Sequence, residues 1–159
     1  MFKNILFASS GTPGSDNAAK LAFGLAEKQE AQLTLYHCYG VPSRGFATNV
    51  TDTRSGNMEQ PDEAYQEWVR EELNTTYAYQ IEACTQPFRM EMSVGVPSTE
   101  ILRLARTLRP DLIVMGASSA ASDPNAARMR SIVGNTVRAV AKKAQCPVLI
   151  VNRPCTTCW

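Results

Sequence analysis

A single histidine, His37, stands in the 159 residues of this chain. Around one imidazole no carboxylate pair, Ser/His/Asp set or metal quartet can be assembled, which leaves a hydrolase or a dehydrogenase with little support. The dinucleotide fingerprint Gly-x-Gly-x-x-Gly is absent too. A lone His at the end of a buried strand fits a hydrogen-bonded structural residue better than a base or ligand. Charge of one sign is also missing. The formal net charge is +1 with both signs interspersed, so there is no concentrated positive footprint for a nucleic acid. No apolar run exceeds strand length, and Met1-Phe-Lys-Asn-Ile enters a strand at once without the segments of a signal peptide. A soluble, cytoplasmic protein with no membrane partner is expected.

The five cysteines form an odd set. Cys38, Cys84 and Cys146 fall in or beside expected core elements, where a reduced Cys behaves as a small hydrophobe. Cys155 and Cys158 differ, being a CxxC past the last strand. No helix follows to lower a thiol pKa, and no second CxxC completes a zinc site. A frayed tail with two exposed thiols is the favoured reading; two tails meeting at a twofold axis is the other.

What is present suits one domain: 44% of residues are hydrophobic and 19% charged, enough to bury a core over residues 1–152, with 153–159 as a short tail. Asn4 to Ser9 is a short apolar run ended by Ser10-Gly-Thr-Pro-Gly14, a buried strand and a turn. Ser15 is placed to cap a helix to about Lys28, whose Ala18, Leu21, Ala22, Leu25 and Ala26 make one apolar stripe. Gln32 to Tyr39 is the second strand. Gly40 to Gln60 reads as a polar loop of about 20 residues, partly disordered. From Pro61, the interval-four series Tyr65, Val69, Leu73, Tyr77 and Ile81 predicts the longest helix.

Phe88 to Val94 alternates apolar and polar residues, as an edge strand with one solvated face does. Ser98 is placed to cap the next helix, with Ile101, Ala105 and Leu108 on one side and Pro110 at its end. Leu112 to Met115 lacks alternation and reads as a strand covered on both faces. Val133, Val137, Val140, Ala141 and Ala144 predict the last helix, and Pro147 to Val151 the fifth strand. Strands alternate with helices throughout, so the fold class is α/β: an open five-stranded parallel sheet with helices on both faces. In such sheets ligands bind beyond the carboxyl ends of the strands, where the strand order reverses.

Five stretches then carry a resemblance to the universal stress protein family over nearly the whole chain. They are Ile5-Leu-Phe-Ala with Gly11 and Ser15; Leu35-Tyr-His-Cys; Val94-Gly-Val-Pro; Pro110-Asp-Leu-Ile-Val-Met-Gly; and Gly134 leading to Cys146-Pro-Val-Leu-Ile-Val. The resemblance implies a Rossmann-like fold of the adenine-nucleotide alpha-hydrolase type with strand order 3-2-1-4-5. It also implies a homodimer paired through the C-terminal strand, Pro147 to Val151. The family splits into members that bind ATP or another adenine nucleotide and members that do not.

The family's nucleotide pattern is Gly, two residues, Gly, nine residues, then Gly-Ser/Thr. Here Gly116, following Met115, fills the first position, Ser119 replaces the second glycine, and Gly134-Asn135 fills the last pair, with Thr136 next, after a loop five residues too long. A Cβ at Ser119 stands where backbone would approach phosphate, and Asn135 offers an amide in place of a hydroxyl. Backbone N–H groups at a helix start still favour anions. Where binding members carry Asp for the ribose or a metal, this chain has Ser10, which supplies no carboxylate for Mg²⁺ or Mn²⁺. Asp123 in the enlarged loop is a weak substitute, and metal is not expected. The adenine end matches at Ala8, Ser9, Ser10, Cys38 and the Gly95-Val96-Pro97 turn, with Arg128 and Arg130 placed to meet phosphates from the loop. The opposing reading is that these small residues pack strand ends and the arginines are solvated.

Two functions therefore stay open. One is a homodimeric regulatory module that binds ATP or AMP weakly or in an altered pose. The other is a stress-response scaffold that binds no nucleotide and acts through protein partners. A slow ATPase is a third, against which Ser10 counts.

Overall fold

Ile5, Leu6 and Phe7 are all fully buried, because a parallel strand between two neighbours must be covered on both faces. They belong to β1 (Asn4–Ser9) in a computed structural model that describes residues 1–11, 13–40, 50–51, 58–59, 63–117 and 133–152. With β2 (Gln32–Gly40) come a short pair, β3 (Val50–Thr51) and β4 (Met58–Glu59), then β5 (Phe88–Gly95), β6 (Leu112–Gly116) and β7 (Val148–Val151). The main sheet is all parallel, in the order β5-β2-β1-β6-β7. Counted along the chain within that sheet, this is the 3-2-1-4-5 arrangement, with the order reversing between β1 and β6. Ala8 pairs with Met115 at that reversal.

Strand alternation sorts the core into two layers. Ile5, Phe7, Leu33, Leu35 and Val114 face α1 (Pro13–Gln29), α2 (Glu63–Thr76) and α3 (Ala78–Ala83). Leu6, Ala8, Tyr36, Ile113 and Met115 face α4 (Pro97–Leu108) and α5 (Asn135–Lys143). Each fully buried Leu, Ile or Phe stabilises the fold by about 1.5–3 kcal/mol relative to its exposed state. Helix α1 lays Ala18, Ala19, Ala22 and Ala26 on the sheet, all fully buried. Such small side chains let a helix approach closely. At its start the approach is tightest: a Cβ built on Gly116 would stand 2.7 Å from the Gly14 carbonyl oxygen.

Four details depart from the sequence reading. Helix α1 starts at Pro13, so Ser15 lies inside it and does not cap it. The series from Tyr65 to Ile81 is not one helix. It breaks at Tyr77 (φ −108°, ψ 16°) into α2 and α3, and the 17-residue α1 is the longer. The β-branched pair Thr75-Thr76 disfavours helix there, and Tyr77 packs edge-on against Phe7 with centroids 5.8 Å apart. The interval-four stripe itself holds, with Tyr65, Val69, Leu73 and Tyr77 all buried. Ser98 does not cap α4: Val96 holds that position, and Pro97 stands in the first turn, where its missing N–H costs nothing. Finally, the stretch from Gly40 to Gln60 contains the antiparallel pair of β3 and β4. The expected disorder falls on positions outside the described residues.

Candidate functional site

The strand ends nearest the reversal bring Ser9, Ser10, Gly116 and Gly134 to one edge of the sheet. Ser9 is buried, and its Oγ lies 2.9 Å from the Tyr77 hydroxyl. The Gly11 amide donates to the same Ser9 Oγ at 3.1 Å, and Gly11 itself sits at φ 72°, a conformation suited to glycine. His37 is buried, with Nδ1 at 3.1 Å from the Ser9 carbonyl oxygen. A carbonyl only accepts, so Nδ1 carries the proton in this bond, and the imidazole is hydrogen-bonded at the end of β2. Ser10 is drawn toward α1: its amide donates to Ser15 Oγ at 2.7 Å, and the two hydroxyls are 2.8 Å apart.

Across the reversal, Met115 and Ala8 are buried side by side on the α4/α5 face. Beyond Gly116 the backbone is tied down: Ala117 N donates to Val151 O at 2.9 Å, and Gly134 N donates to Ala117 O at 2.7 Å. Helix α5 then begins with Gly134 at its N-cap and no side-chain cap. Arg138 N is the donor to Gly134 O. The N–H groups of Asn135, Thr136 and Val137 are therefore in the turn whose donors have no acceptor within the helix. Such a turn favours an anion. Gly116 is glycine for a reason independent of any ligand, since the Gly14 backbone occupies the space a side chain would need.

At the other end of the edge, half-buried Cys38 donates its thiol to Gly95 O at 3.3 Å. Burial is the main reason its pKa is raised, so it is a poor nucleophile. Val96 is about half exposed (52%) and starts α4, its carbonyl accepting from the Thr99 and Glu100 amides. Sequence reasoning missed the polar chain beside these residues. The Tyr36 hydroxyl lies 2.5 Å from Ser93 Oγ, which donates to Glu100 Oε2 at 3.2 Å. Glu100 Oε2 also accepts from Arg103 Nε at 2.9 Å and pairs with Nη2 at 2.8 Å. Arg103 is the main cause of the lowered Glu100 pKa, and burial raises that of Tyr36. The i,i+3 spacing of Glu100 and Arg103 was the available signal.

Ala8, Ser9, Ser10, Cys38, Val96, Met115, Gly116, Gly134, Asn135 and Thr136 thus all lie at the carboxyl edge of the sheet or at the helix starts beside it. Ser119, Asp123, Arg128, Arg130, Cys155 and Cys158 lie outside the described residues. Among the described residues no group of His, Cys, Asp and Glu is arranged to hold a metal ion, and no helix is long and apolar enough to cross a membrane.

Residues 1–152 match the sequence model described as the Universal stress protein family. The Universal stress protein MJ0531 of Methanocaldococcus jannaschii is 30% identical over 154 residues, covering 97% of this chain and 84% of that protein. Among solved structures, the hypothetical protein MJ0577 superposes with a TM-score of 0.69 at 21% identity, covering 98% of this chain and 99% of that one. A universal stress protein in complex with cAMP superposes with a TM-score of 0.65 at 21% identity, covering 94% and 97%.

Proposed function

Because the chain belongs to the universal stress protein family, we propose that it is a stress-response regulator that binds an adenine nucleotide, ATP or AMP, without a metal ion. The nucleotide lies across the carboxyl ends of β1 and β6. Its phosphates meet the first turn of α5, and its base lies toward Ala8, Cys38 and Val96. The observation that carries this reading is the uncapped start of α5 at Gly134, beside the chain reversal. Three backbone donors there have no helical acceptor, and an anion is the partner they suit. The structural relative in complex with cAMP is a protein of this fold with an adenine ligand.

Regulation, and not catalysis, is proposed because Ser10 is held to Ser15 where a metal carboxylate would be required for hydrolysis. The protein acts in the cytoplasm as a homodimer. Its contact is the outer edge of β7, which pairs with no strand among the described residues and where Val148, Leu149 and Ile150 are partly buried.

A second reading, a scaffold that binds protein partners and no nucleotide, is favoured by one detail. The Gly134 amide is already spent on Ala117 O, which removes one donor from the cradle. Displacement of a fluorescent AMP analogue separates the two. The proposal expects AMP and ATP to displace it and GMP not to; a folded protein that binds no analogue supports the scaffold.

A further inference from the structure

At the opposite pole, where β6 and β7 begin, the last turns of α4 and α5 enclose an open cavity of about 420 Å³. That is within the range that holds small organic ligands, roughly 300–1,000 Å³. Arg106, Arg109 and Lys143 line it together with Leu102, Ala105 and Cys146. The wall is therefore part cationic and part apolar, with no carboxylate in the lining. Among the described residues these three cations form no ion pair. We propose that this cavity binds a small amphiphilic anion, a carboxylate or phosphate on an apolar body, as a site separate from the nucleotide edge.

The charge balance favours an anion. Two helix C-termini contribute roughly half a negative charge each, and Asp111, whose Oδ2 accepts from the Lys3 and Asn4 amides at 2.6 and 2.9 Å, adds one more nearby. Three cations outweigh these. Arg109 adds a second observation. It caps α4 in the left-handed conformation, φ 48° and ψ 56°, where glycine is usual and a side chain is strained. The leucine and alanine side chains of α4 supply the apolar floor, so a bare inorganic ion leaves half of the surface unused.

The test uses the full chain with octanoate, with octanol as its uncharged counterpart and inorganic phosphate as charge without an apolar body. Calorimetry reads binding, and protection of Cys146 from N-ethylmaleimide, followed by peptide mass spectrometry, reads location. Octanoate is expected to bind, to protect Cys146 and to be unaffected by AMP, with octanol and phosphate at least about fivefold weaker. Arg106→Gln and Lys143→Gln should each weaken octanoate by about fivefold, the upper end for exposed charge contacts. Arg109→Gly keeps the fold because glycine suits those dihedrals; it should raise Tm while weakening octanoate by a similar factor. Absence of octanoate binding, equal binding of octanol or phosphate, displacement by AMP, or unchanged affinity in all three variants overturns the proposal.

Discussion

Ser15 Oγ lies 2.7 Å from the Ser10 amide nitrogen and 2.8 Å from Ser10 Oγ, tying the first turns of α1 to the end of β1. Ser15 is almost fully buried, and a buried donor left without its partner costs about 1–3 kcal/mol. Ser15→Ala should lower stability by that amount in urea unfolding, with no change in the slope. No change in the midpoint would show that water or another group replaces the hydroxyl.

Gly116 and Gly134 both match the nucleotide pattern but answer to different physics. Gly116→Ala drives a Cβ to 2.7 Å from the Gly14 carbonyl oxygen, a backbone clash that should cost about 1–3 kcal/mol with no ligand present. Gly134 is extended, with φ −65° and ψ 160°, which valine adopts readily. Gly134→Val should therefore leave the fold intact and abolish nucleotide affinity by placing a branched side chain at the cradle. Denaturation and titration of the two variants separate these effects; unchanged affinity in Gly134→Val places the ligand elsewhere.

Tyr77 joins the break between α2 and α3 to the end of β1 through its hydroxyl, 2.9 Å from Ser9 Oγ. Tyr77→Phe keeps the ring contact with Phe7 and should cost about 1 kcal/mol. Because Ser9 Oγ also accepts from Gly11 N, amide exchange at Gly11 should speed up in the variant. An unaltered Gly11 exchange rate would mean that Tyr77 does not position the turn.

Glu27 accepts from Thr85 Oγ1 at 2.7 Å and from the Thr85 and Gln86 amides at 2.6 and 3.2 Å. The Thr85 side-chain bond is the main cause of a pKa below its ordinary 4.5. A carboxylate depressed in the folded state adds stability above its unfolded pKa and loses it as pH falls through the folded value. The wild type should thus lose stability on acidification below about 4.5, and Glu27→Gln should show a shallower decline there. Glu100, also held down, remains in both proteins. Parallel acid limbs would remove Glu27 from the account.

The strands covered on both faces were legible because the apolar runs at Ile5 to Ala8 and Leu112 to Met115 report burial directly, whereas the strand order came from the family resemblance. The alternation at Phe88 to Val94 marked an edge strand, but there the polar residues are partly buried and apolar Val94 is exposed. The helix break at Tyr77 was not legible, since its spacing continues the stripe, the Thr75-Thr76 pair disfavours helix only weakly, and the packing of Tyr77 on Phe7 and Ser9 joins distant segments. Ser15 and Ser98 were misread for one reason: a serine near a helix start resembles a cap, whereas Pro13 and Pro97 begin these helices earlier. At the site, the location at the carboxyl edge of the sheet followed from topology, and the individual residues from the family resemblance. That Gly116 answers to Gly14, and that Tyr36, Ser93, Glu100 and Arg103 form one polar chain, depends on contacts between distant segments that no local pattern carries.

Calorimetric titration of nucleotide-free protein with ATP and AMP, with and without Mg²⁺, tests the central claim most directly. The account predicts binding in the micromolar range for both nucleotides, unchanged by Mg²⁺ because Ser10 offers no carboxylate. No heat from a folded protein would contradict nucleotide binding, and affinity that appears only with Mg²⁺ would contradict a site that works without metal.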